Sequence, residues 1–204
     1  MTIRKYNIKD VVAFRKTTEA FGGLSNMAAG YSLNINGIII KSAEHLYQAM
    51  RFPVNPEIQY EILEEYSPMT AKMISKKYAV KCTRPDWDKV RFAIMKWVLE
   101  IKLSQNWNTF GSLLLETGNK PIVELTPKDK VWGAVLTGNV LEGTNALGRL
   151  LMQIREDYVK KNDYQRCINP LDIPAFLLYN NHIEIVCNDV FSYELMESDD
   201  LEMA

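Results

Sequence analysis

Two short segments combine acidic side chains with aromatic or glycine residues, and they carry the strongest chemical signal in this sequence. Residues 41–48 contain Glu44 just after a serine that can cap a helix, and residues 128–134 contain Asp129 three positions before Trp132. Both segments are typical of the ends of helices or strands rather than of their interiors. Carboxylates and indoles gathered at such ends can build a pocket for a nucleotide-like ligand and stabilise a sugar cation.

Glu44 has two interpretations if only its position in the sequence is considered. The helix dipole stabilises a carboxylate in the first turn of a helix by about 0.3–1 kcal/mol, so a structural role at the helix end is the simpler one. The alternative is a carboxylate held rigidly beside an electron-deficient sugar carbon. The neighbouring His45 is more often a packing residue than a proton carrier.

Glycine and tryptophan residues suggest how a ligand could be held, again with a structural alternative for each. The Gly-Gly-Leu-Ser-Asn segment at 22–26 can bring backbone amides close to a phosphate, although it matches no known phosphate-loop motif and a simple turn is equally plausible. Phe21 can stack on a base or be buried. Trp87 and Trp132, each taken alone, are more often core residues, but two tryptophans beside proline or glycine raise the odds of a stacking platform.

Composition restricts the class of protein. The 204 residues suffice for one substantial domain, and 47% hydrophobic with 24% charged residues is ordinary for a globular chain. We expect neither a secretory signal nor a membrane-spanning helix, because no apolar run has the necessary length. Cys82, Cys167 and Cys187 lack a CxxC pair and accompany only two histidines. This predicts free buried thiols, a reducing cytoplasm, no metal and no cofactor.

Charge is distributed unevenly although the net charge is only −1. Basic residues are concentrated between positions 72 and 91, whereas the last ten residues are acidic. A basic stretch on a nearly neutral protein is more often a solvated face than a nucleic-acid groove. If this stretch does bind nucleic acid, the residues expected to form the binding face are Lys72, Lys76, Lys77 and Arg84.

The local patterns predict an α+β protein, mainly helical and compact, with a small β-sheet. Strands are expected near 10–14 and 121–125, a hairpin around Asn36-Gly37, and a mobile loop over 138–143. The predicted helices cover residues 43–50, 56–66, 68–77, 107–117 and 145–158, with a longer one following Arg84-Pro85. Residues 1–168 form the predicted main domain. Residues 169–204 form a β-rich extension packed on it, with a hairpin turning at 180–181 and an acidic, frayed tail.

Six ordered segments together resemble the NADAR family, and the resemblance covers residues 12–156. The segments are 21–28 (FGGLSNMA), 42–49 (SAEHLYQA), 67–73 (SPMTAKM), 84–88 (RPDWD), 132–134 (WGA) and 145–152 (NALGRLLM). The resemblance implies a compact NADAR-type α+β fold that cleaves N-glycosidic bonds. It also implies that Glu44 is a catalytic residue and that Trp87 and Asp129 belong to the same site.

Further substrate-binding residues are expected in these segments and just before them. Arg15, Lys16 and the amides of Gly22 and Gly23 are candidates to hold a diphosphate. The complete set of expected substrate-binding residues is Arg15, Lys16, Phe21, Gly22, Gly23, Asn26, Tyr47, Trp87, Trp132, Gly133 and Asn145, with Glu44 and Asp129 as the catalytic pair.

The family has two branches, and this chain resembles the second. One branch cleaves ribosylated intermediates of riboflavin synthesis. The other removes ADP-ribose from guanine bases in DNA and acts as the antitoxin of DarT-type ADP-ribosyltransferases. The segment 14–17, the Arg-Pro-Asp-Trp form and the tail past Pro170 resemble the second branch, and Ala-Val-Leu-Thr replaces the glycine-rich segment that follows Trp-Gly in the first.

The expected substrate is therefore ADP-ribosylated guanine in single-stranded DNA, because an adduct on a base must be presented unpaired. ADP-ribose is the expected product, and a DarT-type toxin is the expected functional partner. Two alternatives remain, namely an N-glycosidase acting on riboflavin-pathway intermediates and a module that binds ADP-ribose without cleaving it.

Overall fold

The computed structural model describes residues 2–162 and 167–187, and its fold is α+β. The helices are α1 (Ala43–Ala49), α2 (Pro56–Glu64), α3 (Pro68–Cys82), α4 (Trp87–Gln105), α5 (Ser112–Glu116) and α6 (Ala146–Ile154). The strands are β1 (Arg4–Asn7), β2 (Val12–Phe14), β3 (Leu33–Ile35), β4 (Ile38–Ile40), β5 (Ile122–Glu124), β6 (Val135–Thr137), β7 (Val140–Gly143), β8 (Cys167–Ile168), β9 (Leu177–Leu178), β10 (Asn181–His182) and β11 (Val186–Cys187). Two π-helical segments, Trp107–Gly111 and Arg155–Val159, adjoin α5 and α6.

Proline and its preceding cap residue start the middle helices as the sequence predicted. Pro68 occupies the first turn of α3, and the Ser67 hydroxyl accepts a hydrogen bond from the Thr70 amide at 3.4 Å. The prediction that α3 ends at residue 77 was too short, because the helix continues to Cys82. The first strong helix breaker after Pro68 is Pro85, which disfavours helical backbone at the residue before it.

The hairpin predicted around Asn36-Gly37 is confirmed, whereas the mobile loop predicted at 138–143 is wrong. Asn36 and Gly37 both have positive φ (52° and 80°), as a tight two-residue turn between β3 and β4 requires. Residues 138–143 instead include a second turn, with Gly138 at φ 60°, and strand β7. β7 pairs with β6 on one side and with the distant β1 on the other, so its order depends on a partner that local sequence does not reveal.

Helix α4 lies at the centre of the hydrophobic core and contacts α1, α6, β3, β8 and β11. Trp97, near its middle, is almost fully buried, and its indole N–H donates to the Asn169 carbonyl at 3.1 Å. Lys102, near its end, is completely buried. The Lys102 ammonium nitrogen donates to the Gly23 carbonyl at 2.7 Å and the Ser25 carbonyl at 3.1 Å. Burial lowers the pKa of Lys102 to about 7.

The cysteine prediction is corrected by a disulfide bond between Cys167 and Cys187. These two residues lie opposite each other in the antiparallel β8–β11 pair and are exposed, while Cys82 is free and half-buried. The pairing joins positions 20 residues apart, so the spacing of cysteines in the sequence did not indicate it. Disulfides are unusual in reducing compartments, so the cysteines do not support a location in a reducing cytoplasm. The cytoplasmic location stays a prediction.

The side chains of Arg84 and Gln59 hold the segment after Asn169 by hydrogen bonds to its backbone. The Pro174 carbonyl accepts from Arg84 at 2.7 Å, and Gln59 bonds both the Leu177 carbonyl (3.0 Å) and the Tyr179 amide (2.7 Å). The C-terminal hairpin is present, but it turns at 179–180 between β9 and β10, one residue before the predicted turn at 180–181. Strand pairing β8–β11 crosses the predicted boundary at 168/169. The domain division stays a prediction, and the acidic tail lies outside the described residues.

Gly148 provides a test of how tightly α6 packs against β5. A Cβ atom at this position would overlap with the Ile122 carbonyl oxygen and the Asn145 amide. We expect Gly148→Ala to lower the free energy of unfolding by about 1–3 kcal/mol, because α6 must move away from β5. Gly111→Ala is the matched control, since its Cβ would meet ordinary contacts from 3.5 Å outward and helix propensity favours alanine by about 1 kcal/mol. Urea denaturation measures both. Equal stability of the two variants would contradict this packing.

Candidate active site

A cavity of about 490 Å³ opens between α1, α3, α4 and the end of β5. Its walls bring together carboxylate, aromatic and cationic side chains. The lining residues are Ser25, Asn26, Met27, Glu44, Tyr47, Gln48, Arg51, Lys72, Lys76, Ala79, Thr83, Arg84, Pro85, Trp87, Asp88, Arg91, Met95, Glu124, Asp129, Trp132 and Leu147.

Glu44 is a buried carboxylate at the start of α1, with only 5% of the residue exposed. Its amide donates to the Asn26 carbonyl at 3.0 Å, which fixes the helix start against the preceding loop. One carboxylate oxygen accepts a hydrogen bond from the Gln48 side chain at 2.8 Å and lies 3.8 Å from the Lys72 ammonium. Burial raises the pKa of Glu44, while Lys72 and Gln48 oppose that shift by stabilising the charged form.

His45 is a packing residue, as the simpler interpretation held. It is fully buried, and its Nε2 donates to the Glu65 carbonyl at 3.1 Å, which leaves Nδ1 to accept from the Ser42 hydroxyl at 2.8 Å. Burial also lowers the pKa of His45, which favours this neutral form. Ser42 occupies the N-cap position of α1, but its hydroxyl bonds the histidine instead of a backbone amide.

Three aromatic rings form a continuous wall of the cavity. Tyr47 lies between the two tryptophans, with ring centroids 5.2 Å from Trp87 and 5.5 Å from Trp132. The Arg51 guanidinium covers Trp87 at 5.4 Å, and Phe92 packs against Trp132 at 5.1 Å. Both tryptophans also contact the hydrophobic core, so they combine the structural and the cavity-lining positions that the sequence analysis treated as alternatives.

Asp129 lies at the cavity edge, but one of its carboxylate oxygens is engaged in hydrogen bonds to backbone amides. Oδ1 accepts hydrogen bonds from the amides of Val131 (2.8 Å) and Trp132 (2.9 Å), and the Asp129 carbonyl accepts from the Thr126 hydroxyl at 2.7 Å. This arrangement holds the turn that presents Trp132 to the cavity. The role of Asp129 as a second catalytic acid stays a prediction.

Glu124 is a cavity carboxyl that the sequence analysis missed. It ends β5, where the Asn145 side-chain oxygen accepts from its amide at 3.2 Å and its carbonyl accepts from the Ala134 amide at 2.8 Å. Burial, reinforced by the charge of Glu44, raises the pKa of Glu124 to about 7, with Lys72 opposing. One feature of the sequence could have indicated Glu124, namely that it is the single charged residue in the otherwise apolar segment 121–125.

The residues of the predicted nucleic-acid face do not share one exposed surface. Lys72 and Lys76 line the cavity, and Lys72 pairs with Glu44. Lys77 lies outside the cavity lining and pairs with Glu61 at 3.3 Å. Arg84 lines the cavity as a buried side chain bonded to Asp86 at 2.6 Å and 3.0 Å. Arg51 and Arg91, which the sequence analysis did not select, add two cationic side chains to the wall.

The predicted diphosphate-binding group lies away from the cavity. The amides of Arg15 and Lys16 donate to the Glu19 carboxylate at 2.9 Å and 3.2 Å. The Gly22 amide donates to the Glu19 carbonyl at 2.8 Å, and a Cβ there would overlap with the Thr17 backbone. These glycines therefore permit a tight chain turn. Phe21 and Gly23 are also absent from the cavity lining; Phe21 packs against the core, and the Gly23 carbonyl binds Lys102.

Gly133 and Asn145 position the site without lining the cavity. Asn145 has positive φ (50°), and its side-chain amide donates to the Ile122 carbonyl at 2.8 Å while accepting from the Glu124 amide. A Cβ on Gly133 would lie 2.5 Å from the Glu124 carbonyl oxygen, so glycine allows the close approach. Both residues therefore fix the end of β5.

Residues 2–162 and 167–187 contain neither a candidate metal centre nor a helix that could span a membrane. Within this range, no group of three or more histidine, cysteine, aspartate and glutamate side chains has the arrangement to hold a metal ion. In the same part of the chain, each helix is either too short or too polar to cross a membrane.

Comparison with known proteins identifies the family. The NADAR domain profile matches residues 13–158, and the chain belongs to this family. The solved NMR structure of the Escherichia coli protein YbiA superposes with a TM-score of 0.64 at 31% identity, covering 75% of this chain and 88% of that one. This agreement also confirms the predicted NADAR-type α+β fold.

Curated relatives carry two kinds of description. An N-glycosidase of Nostoc punctiforme is 29% identical over 148 residues, which is 72% of this chain and 91% of the relative. A riboflavin biosynthesis protein of Vibrio vulnificus (strain YJ016) is 30% identical over 162 residues, or 79% of this chain. This chain spans only 42% of the length of the Vibrio relative and 25% of a maize riboflavin biosynthesis protein.

The raised pKa of Glu124 predicts a pH-dependent effect on stability. A pKa that is higher in the folded state than in the unfolded state means that folding favours the neutral form of Glu124. The neutral carboxyl therefore contributes to stability at low pH, and this contribution is lost as the pH rises through about 7. Glutamine stays neutral throughout. We expect the Tm of Glu124→Gln to exceed that of the wild type at about pH 8 and to approach it at about pH 5. Thermal melts followed by circular dichroism at both pH values measure this difference.

Glu142→Gln is the control for this experiment. Hydrogen bonding to Lys130 lowers the pKa of the partly exposed Glu142, so removal of this carboxylate should leave the Tm unchanged or lower it at the higher pH. A Glu124→Gln Tm at or below the wild-type value at about pH 8 would contradict the environment described for Glu124.

Proposed function

We propose that this protein is an N-glycosidase that hydrolyses the bond between C1 of a ribose and a nitrogen atom of a base. The observation that carries the proposal is the Glu44 carboxylate, buried in the cavity wall with Lys72 beside it and the Tyr47 ring nearby. The N-glycosidase described in Nostoc punctiforme, matched over 91% of its length, supports the same reaction class.

The mechanism follows from the charge that develops when the bond breaks. As the C1–N bond lengthens, its electron pair moves to the base and positive charge grows on C1 and the ring oxygen. The Glu44 carboxylate stabilises this charge, and its burial strengthens the interaction because little water screens it. Gln48 fixes the carboxylate by a hydrogen bond, and Lys72 favours its ionised form. Water then adds to C1 and completes the hydrolysis.

For the substrate, we infer ADP-ribose attached to guanine in single-stranded DNA. A cavity of about 490 Å³ lies in the size range of nucleotide pockets. Its aromatic wall can stack on a base, and Arg51, Lys76 and Arg91 can neutralise a diphosphate. The released product would be ADP-ribose. In this proposal the functional partner is a DarT-type toxin, whose DNA modification the protein would reverse.

A second candidate substrate is a ribosylated intermediate of riboflavin synthesis. The observation that favours it is the 30% identity, over 79% of this chain, to a protein described as acting in riboflavin biosynthesis. Both substrates contain a ribosyl C–N bond, so the same carboxylate can serve either. A module that only binds ADP-ribose would not need a buried carboxylate, which is costly to retain without a function.

One experiment separates these proposals. The protein is incubated with a guanine-ADP-ribosylated oligonucleotide, with ADP-ribosylated guanosine and with a ribosylated riboflavin-pathway intermediate, and products are separated by chromatography. We expect release of ADP-ribose, fastest from the oligonucleotide. Cleavage of the riboflavin intermediate alone would replace the DNA substrate. Binding of ADP-ribose without cleavage of any of the three would refute the glycosidase proposal.

Glu44→Gln tests the catalytic carboxylate while preserving its size. We expect turnover to fall by about 10²-fold or more, equivalent to about 2.7 kcal/mol, with substrate binding retained. Glu57→Gln is the matched control, because Glu57 also occupies the first turn of a helix but is exposed. Steady-state kinetics and equilibrium binding measure the two effects. Turnover of Glu44→Gln within about threefold of the wild type would remove Glu44 from the mechanism.

Lys76 and Lys77 allow a test of DNA contact with adjacent residues. Lys76 lines the cavity, whereas Lys77 pairs with Glu61. We expect Lys76→Glu to raise the apparent Michaelis constant for the oligonucleotide more than that for ADP-ribosylated guanosine, and Lys77→Glu to change neither. Added salt should weaken oligonucleotide binding with a slope of about −0.7 for each phosphate contact.

Two other outcomes have distinct meanings. Equal losses of Lys76→Glu on the oligonucleotide and on ADP-ribosylated guanosine would assign Lys76 to the diphosphate pocket. Equal effects of Lys76→Glu and Lys77→Glu on the oligonucleotide would argue instead for a general electrostatic attraction that does not depend on the cavity.

A further inference from the structure

Glu124 lines the same cavity as Glu44, yet the mechanism above gives it no role. The two carboxyl groups have different surroundings. Gln48 and Lys72 both interact with the Glu44 carboxylate. In the part of the chain that the structure describes, no hydrogen bond or ion pair engages the Glu124 carboxyl. Two side chains therefore directly stabilise the ionised form of Glu44, whereas the Glu124 carboxyl has no direct partner in that part of the chain.

The groups facing Glu124 come from three elements. Glu44 on α1 and Asp129 in the turn after β5 both disfavour a negative charge on Glu124, and Lys72 on α3 favours it. Burial also disfavours the charged form of Glu124. Burial and the two carboxylates together outweigh Lys72, so the protonated form of Glu124 is favoured. Glycosidases commonly use two carboxyl groups in different environments. One is protonated and acts as the acid, and the other is ionised.

The backbone of Glu124 is fixed while its carboxyl group stays free. The Asn145 side chain accepts from its amide, the Ala134 amide donates to its carbonyl, and Gly133 allows the chain to approach closely. A proton donor needs this combination, since it must be held in place but must not be committed to another partner.

We propose that Glu124 is the general acid of the glycosidase reaction, an inference that rests on the proposed function. Its carboxyl proton passes to the departing base nitrogen as the C1–N bond breaks and the bonding electrons move to that nitrogen. A water molecule then takes the place of the base, loses a proton to the Glu124 carboxylate and forms the C1–O bond. The acid is thereby restored, and the net reaction consumes one water.

The test compares a leaving group that needs a proton with one that does not. The substrates are ADP-ribosylated guanosine and ADP-ribose carrying a p-nitrophenyl group at the same ribosyl carbon, since nitrophenolate departs without protonation. Glu124→Gln should lose about 10²-fold or more on the guanosine substrate and stay within about threefold of the wild type on the nitrophenyl substrate. Glu44→Gln should be impaired on both. Glu116→Gln, an exposed carboxyl remote from the cavity, should match the wild type on both.

The pH profile distinguishes an acid from a residue that only maintains structure. For the guanosine substrate, the wild-type kcat/KM should fall on the basic side of about pH 7, and this limb should disappear in Glu124→Gln. A structural role would instead lower activity on both substrates and leave the profile unchanged. That result, or near wild-type activity of Glu124→Gln on the guanosine substrate, would overturn the assignment.

Failure of the broader proposal has a different signature. If the wild type cleaves neither substrate nor a ribosylated riboflavin-pathway intermediate, the glycosidase function fails and the acid role fails with it. If the wild type is active and Glu124→Gln behaves like Glu116→Gln, only the acid assignment fails.

Discussion

The burial of the Glu44 carboxylate is the constraint on which the site depends. An isolated charge in a protein interior is disfavoured by several kcal/mol unless it is paired and hydrogen-bonded. Here Gln48, one turn further along α1, donates to the carboxylate, and Lys72 reaches it from α3. The Asn26 carbonyl fixes the start of α1 by accepting from the Glu44 amide. Three separate parts of the chain must therefore be placed correctly before Glu44 can be both buried and reactive.

Helix α4 provides the common support for these parts. Its first half contributes Trp87, Arg91 and Met95 to the cavity, and its second half holds Lys102 against the loop that leads to Asn26. The buried amine thereby links the central helix to the start of α1. A Cβ at Gly22 would overlap with the Thr17 backbone and one at Gly23 with the Tyr31 side chain, so the glycines of that loop allow close packing and do not line the cavity.

The family relationship and the local geometry contribute different kinds of information. Membership of the NADAR family extends over residues 13–158, and this range contains all the residues that line the cavity. In the Vibrio vulnificus relative the matched region is less than half of the protein, so its description applies to a longer chain. The chemistry proposed for this chain therefore depends on the contrast between Glu44, which is paired, and Glu124, which is not.

Features that depend on near neighbours were predictable from the sequence. Proline at the start of α3 and the Asn36-Gly37 turn act through backbone angles within a few residues, and the family motifs pointed to Glu44, Trp87 and Asp129, all of which line the cavity. Which side chains meet across elements became evident from the fold alone. It separated Lys76 from Lys77, joined Cys167 to Cys187 and brought Glu124 to the cavity of Glu44. These outcomes depend on packing between distant segments, so the neighbouring residues in the sequence did not predict them.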